Sequence, residues 1–165
     1  MVFFDSPRLG CFFRRNIRME FKIIGMEHEE AIKAVIQDAF SVAPWNDVWD
    51  DAEVFHEYIL DLVGNRNSLA FGAYDGDQLV GVALGRVKHW YDGNEYCIDD
   101  FGIATSSQGK GIGSALLNYI REYAVEHHYK SVTLWTERSA AAYDFYVKNG
   151  LTKATGRASF IFDAR

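Results

Sequence analysis

The stretch Ser106–Ala124, SSQGKGIGSALLNYIREYA, decides how this chain is read. Gly109, Gly111 and Gly113 alternate with other residues, and a helical pattern starts at once. Ile112, Ala115, Leu116, Tyr119, Ile120, Tyr123 and Ala124 recur at 3.6-residue spacing. From Gln108 to His128 this predicts a helix roughly 30 Å long. A helix N-terminus offers unpaired N–H groups and about half a positive charge. Glycine lets a ligand approach the backbone closely, because no Cβ stands in the way. A strand, a glycine turn and a helix in succession therefore make a cradle for phosphate or pyrophosphate. Lys110 adds a positive side chain and Ser114 a hydroxyl.

Working outward, the elements around this stretch alternate. Glu20–Ile24 reads as a strand, and HEEAIKAVIQDAF as an amphipathic helix with Ile32, Val35, Ile36, Ala39 and Phe40 on one face. SVAPWNDVWDD interrupts it. A second helix spans Ala52 to Val63. The segment from Ser68 to Ala104 reads as three strands joined by turns at Asp75-Gly76 and Asp92-Gly93. After the long helix, SVTLWT is a buried-type strand. SAAAYDFYVKNG is a short helix capped by Gly150, and LTKATGRASFIFDA is a last strand or hairpin. The order β-α-α-β-β-β-α-β-α-β predicts an α/β (α+β) domain: a mixed, mostly antiparallel central sheet flanked by helices, with one parallel crossover.

Regular patterning begins only at Met19. Residues 1–18 are expected to be an extension, either preceding the true start or forming an arm with little role in the chemistry, and 19–165 the working domain. The chain has 165 residues, 48% of them apolar and 15% aromatic, which suits one globular domain with a real core. A formal charge of −6 argues against a nucleic-acid partner and for a small or cationic one. Cys11 and Cys97 are far apart and form no CxxC pair, while His127 and His128 are neighbours that point apart on a helix; no metal is expected. No apolar run approaches membrane-spanning length and the N-terminus makes a poor secretory signal, so a cytoplasmic protein is expected.

Three phosphate cradles compete for the glycine turn. A Walker A loop needs GxxxxGK followed by Ser or Thr, but Gly111 follows Lys110 and Ala104 stands where the first glycine belongs. A dinucleotide fingerprint needs GxGxxG early in a parallel array. Here Ser114 takes the third glycine's place, late in the chain and after a meander. The third pattern, Q/R-x-x-G-x-G/A, is matched in full by QGKGIG, Gln108 to Gly113.

That hexapeptide resembles the acetyl-CoA pyrophosphate loop of the GNAT superfamily of N-acetyltransferases. AYDFYVKNGL, Ala142 to Leu151, resembles the later A-x-x-F/L-Y-x-x-x-G-F segment of the same superfamily, and the order of elements agrees from Glu20 onward. APWNDVW (Ala43–Trp49) and YCIDDFGI (Tyr96–Ile103) look like its aminoglycoside N-acetyltransferase-like branch. The resemblance implies an acyltransferase that moves acetyl from acetyl-CoA, as co-substrate, to a primary amine by direct attack on the thioester. The coenzyme would be held by Ile103, Ala104, Gln108, Gly109, Lys110, Gly111, Ile112, Gly113, Ser114 and Ser139. Ser139 stands where many members carry Asn, which weakens that contact. Tyr146 takes the place of the tyrosine that protonates the leaving thiolate, with Tyr143 a turn earlier as the alternative. Asp99 matches the acidic position of the aminoglycoside branch and is favoured to orient and deprotonate the amine, with Asp100 second.

Consecutive strand residues face opposite ways, so the two cannot share one role unless a bulge intervenes. Cys97 sits where histone-acetylating relatives carry a glutamate base, which speaks against their mechanism. Trp45 and Trp49 either pack a helix–helix loop or line the acceptor pocket. The leading expectation is a small amine acceptor. A protein amine, or coenzyme binding without turnover, are the competing readings. A final strand, ASFIF, could pair across a homodimer.

Overall fold

The computed structural model describes residues 19–156 and 158–162; the expected extension over 1–18 lies outside them. The chain divides into two compact units, one ending at Trp135 and the other beginning at Thr136.

The first unit is built on a five-stranded sheet of β1 (Met19–Ile24), β2 (Ser68–Asp75), β3 (Gln78–Trp90), β4 (Gly93–Ile103) and β5 (Ser131–Leu134), neighbours in that order. The first three junctions are antiparallel and the β4–β5 junction is parallel. Two-residue turns join β2 to β3 and β3 to β4, and Gly76 supplies a positive φ of 61° in the first. This is the predicted mixed sheet with its meander and single crossover.

Helices α1 (Glu29–Phe40) and α2 (Ala52–Val63) lie between β1 and β2 in sequence. Asp51 caps α2, its carboxylate accepting from the N–H groups of Glu53 (2.9 Å) and Val54 (3.1 Å). The apolar stripes of the two helices, Ile32, Val35 and Ile36 with Phe55, Ile59 and Leu62, bury against Ala70, Val82 and Leu84 of the sheet. Each such side chain stabilises the fold by roughly 1.5–3 kcal/mol. Phe71 alternates to the opposite face, where its ring meets Tyr119 and Tyr123 of α3 (Ile112–Glu126) at 5.9 and 5.1 Å. The sheet is thus covered on both faces.

Two expectations are corrected here. The long helix begins at Ile112 rather than Gln108, because Gly109 and Gly111 adopt φ of 72° and 83°, which no right-handed helix accommodates. The final strand does not form: among the described residues, 158–162 belong to no ladder, and Phe160, Ile161 and Phe162 are exposed. High β-propensity describes fitness for a pleated, half-buried surface, and without a neighbouring strand it has nothing to act on.

One irregularity positions the site. In the β3–β4 ladder Leu84 pairs with Asp100 and Gly85 with Ile98, so Asp99 is an extra residue, a β-bulge. Gly85 permits it: a Cβ there would stand 2.1 Å from the Cys97 carbonyl oxygen. β5 pairs with β4 from Glu95 to Ile98, and β4 runs on from Asp99 to Ile103 beyond that pairing.

In the second unit, α4 (Ala141–Lys148) ends in a Schellman motif. The N–H of Leu151 donates to the Tyr146 carbonyl (3.1 Å), that of Gly150 donates to Val147 (3.0 Å), and Gly150 has φ of 85°, the cap anticipated from sequence.

Candidate active site

The glycine turn follows β4 through a short 3₁₀ turn, Thr105–Ser107. Asp38 on α1 secures that turn, accepting from the Thr105 N–H (2.5 Å) and hydroxyl (3.0 Å). The Gln108 side-chain amide donates to the Ile103 carbonyl at 2.9 Å, and the Ala104 N–H donates to the Val80 carbonyl at 2.9 Å. Two of the predicted coenzyme contacts are therefore engaged in holding the loop: Gln108 braces it, and Ala104 fixes its root. Gly109 and Gly111 are exposed, and a Cβ on either would meet nothing within 4 Å. Open space thus stands before backbone whose φ favours glycine, beside the first-turn N–H groups of Ile112, Gly113 and Ser114, which a helix cannot satisfy within itself. Ile112 and Gly113 are buried, while Lys110 and Ser114 are exposed. This donor set fits an anion held by backbone N–H groups with a lysine beside it.

The bulge brings the two predicted carboxylates together. Asp99 accepts from the Arg86 guanidinium at 2.5 Å. Asp100 accepts from the Tyr58 hydroxyl at 2.5 Å. Both are pushed above the usual aspartate range. For Asp99 the cause is burial, opposed by Arg86. For Asp100 burial comes first; the Tyr58 hydrogen bond opposes it, and the charges of Asp99 and Asp47 add to it. Strand alternation alone would have put the pair on opposite faces; the extra residue removes that constraint.

Tyr58 was not among the residues singled out from sequence, where it reads as one more apolar position on the α2 stripe. Its ring packs against Trp49 with centroids 4.6 Å apart, and Trp49 stacks on Phe55 at 4.6 Å. Trp49 and Tyr58 also wall a cleft of about 460 Å³ edged by Asp51, Glu53, Glu57 and Asp61. Trp49 therefore packs against the core and also borders this cleft. Trp45 instead packs edge-on against Phe40, 6.0 Å away, and is not part of that wall.

Cys97 is half-buried, and burial pushes its thiol up, so it is no substitute for a carboxylate base. Beside it lies a second unforeseen group: Glu95, 3% exposed, accepts from Ser131 (3.0 Å) and Thr133 (3.4 Å) of β5. Nothing in the strand pattern marks a glutamate as buried until the neighbouring strand supplies hydroxyls. In the second unit Tyr146 is the buried side chain of α4, its ring 5.3 Å from that of Phe145; Tyr143 is half-buried and Ser139 exposed. Among the described residues no group of three or more His, Cys, Asp or Glu is placed to hold a metal ion, and no helix is long and apolar enough to cross a membrane.

Residues 30–151 match the family model described as "Acetyltransferase (GNAT) family". The chain belongs to the GNAT acetyltransferase family. No curated protein matches it in sequence. Solved GNAT-like structures share its fold. An aminoglycoside acetyltransferase from an uncultured soil metagenomic sample, meta-AAC0020, in complex with sisomicin, is 18% identical, with a TM-score of 0.70 over 89% of this chain and 97% of that one. Aminoglycoside N-acetyltransferase AAC(6')-Iy in complex with CoA is 12% identical, with a TM-score of 0.70 over 93% and 100%. A ribosomal-protein-alanine N-acetyltransferase from Brucella melitensis biovar Abortus 2308 is 16% identical, with a TM-score of 0.69 over 88% and 98%. At these identities the likeness establishes the fold. Family membership makes the chain an acetyltransferase using acetyl-CoA.

Proposed function

We propose that the chain acetylates a primary amine of a small cationic molecule by direct attack of the amine on the thioester of acetyl-CoA. The observation that carries this reading is the strand-to-helix path of β4: a bulge carries an acidic pair, and a few residues later the strand opens into the glycine turn. One end suits a cation and the other an anion, on one continuous stretch of chain. The acidic cleft beside Trp49 and Tyr58 supports a positively charged acceptor further.

In this reading the N–H groups of Gly111, Ile112 and Gly113 hold the pyrophosphate, with Lys110 adding charge and Ser114 a hydroxyl. The β4 backbone at Ile103 and the Ser139 hydroxyl serve the pantetheine arm. Acetyl-CoA supplies the acetyl group. An alkylamine with a pKa of roughly 10.4 is protonated near neutral pH, and only its neutral form attacks. The acidic pair Asp99 and Asp100 receives the ammonium, and one of the two carboxylates takes its proton. The N–C bond forms as the C–S bond breaks, and the Tyr146 phenol gives its proton to the leaving thiolate, whose conjugate thiol has a pKa near about 8.5.

The test is a panel of amines, with a peptide bearing a free N-terminus and lysines included, read by thiol release from acetyl-CoA. Turnover of small di- or polyamines ahead of the peptide is expected. Turnover of the peptide alone would point to a protein acceptor. Coenzyme binding with no release on any amine would make the chain a sensor.

A further inference from the structure

The two neighbouring aspartates have unlike partners. Asp99 is paired with a cation, Arg86, at 2.5 Å. Asp100 bonds a neutral phenol, Tyr58, at the same distance, and no ion pair among the described residues includes it. We infer that Asp100 is the carboxylate that takes the proton from the acceptor amine, and that Tyr58 is the positioning residue that holds it. This rests on the amine-acetylation reading above and goes beyond it by dividing the roles of the pair.

The argument is one of charge and geometry. A carboxylate neutralised by guanidinium has little left with which to hold an ammonium, and protonating it would break a charge-assisted bond. Among the described residues no cation pairs with Asp100. The groups that face it are Tyr58 from α2, Asp47 from the α1–α2 connection, Asp99 on its own strand and, through Asp99, Arg86 from β3. Two of those are negative, which favours a cation beside Asp100 and favours a proton on it. Tyr58 occupies Oδ2, leaving Oδ1 for the amine. Burial and the Asp100 charge push the Tyr58 phenol far up, so it stays a donor throughout the working range. Its ring packs against Trp49, with centroids 4.6 Å apart. Tyr58 also lines the acidic cleft, so the residue that holds the base borders the space that can receive the rest of a cationic acceptor.

The pH dependence of kcat/KM for the amine separates the candidates, because its acid limb reports the group that must be ionised. The phenol hydrogen bond favours the carboxylate form, so Tyr58→Phe should move the acid limb to higher pH and restore turnover at alkaline pH. Asp99→Asn should move the limb the opposite way: it removes a like charge and frees Arg86, both of which favour ionised Asp100. Asp100→Asn should lower turnover about a hundredfold or more and abolish the limb.

Carbon-13 titration of the Asp100 carboxyl gives a readout independent of turnover, and its midpoint should rise in Tyr58→Phe. The inference is overturned if the limb vanishes in Asp99→Asn while Asp100→Asn retains it, or if neither the limb nor the carboxyl midpoint moves in a folded Tyr58→Phe protein. A wild-type chain that turns over no amine removes the underlying reading and this inference with it. A wild-type chain that turns over, with an unmoved Tyr58→Phe, removes the inference alone.

Discussion

Gly111→Val places two methyl groups where the structure leaves open space in front of the α3 N-terminus. Two effects follow, and their sizes can be separated. Gly111 has φ of 83° and ψ of 2°, a region that costs a β-branched residue about 1–3 kcal/mol. For a chain of this length that corresponds to a fall in Tm of roughly 2–12 °C. Since domains are typically stable by about 5–15 kcal/mol, the variant should still fold. The second effect is on the coenzyme. Among the described residues, its chain neighbours aside, nothing lies within 4 Å of a Cβ at Gly111, so the side chain takes space that the ligand would use. Hydrogen bonds to charged groups are worth about 1.5–3 kcal/mol each, so displacing the pyrophosphate from two N–H donors should cost about 3–6 kcal/mol. That is roughly a hundredfold to ten-thousandfold in Kd.

Gly76→Val is the control: Gly76 has φ of 61°, is equally open, and belongs to the β2–β3 turn, so it should share the thermal penalty and spare the coenzyme. Calorimetric titration with acetyl-CoA and thermal unfolding of both variants give the two quantities. Unchanged affinity in a folded Gly111→Val protein, or equal loss in both variants, would refute the cradle.

Lys110→Ala should weaken coenzyme binding several-fold at most, more visibly at low ionic strength, because an exposed charge contact is screened; titration at two salt concentrations checks this. Tyr146→Phe should lower kcat by about a hundredfold while coenzyme affinity is kept; full turnover at saturating substrates, with chemistry shown to limit the rate, would remove Tyr146 as the proton donor. Gly85→Ala should destabilise the fold by about 2 kcal/mol or more. Its Cβ would meet Cys97 backbone, which cannot yield without opening the bulge, and denaturant unfolding measures the loss.

Local signals in the chain were enough for the elements that carry a period or a punctuation mark. The α2 stripe was legible over its whole length from Ala52 to Val63, because its apolar spacing is regular. The Gly150 cap was legible for the same reason, since positive φ is a local demand. The glycine turn was recognisable as the entry to a long helix, although its own geometry moved the start of α3 to Ile112. The last strand failed because propensity without a partner does not form a ladder.

The candidate site divides along the same line. Which residues could carry charge near the turn was written in the order of the chain, Asp99, Asp100 and Lys110, as were the three glycines of the turn itself. Which partners they meet was decided by pairing between strands and helices far apart in sequence. The bulge depends on Gly85 opposing Ile98, Asp100 finds Tyr58 42 residues away, and Asp99 finds Arg86 across the ladder. Helical and strand periodicity is a property of neighbours and survives in a linear chain, whereas the charge state and partner of a carboxylate are set by what tertiary packing brings against it.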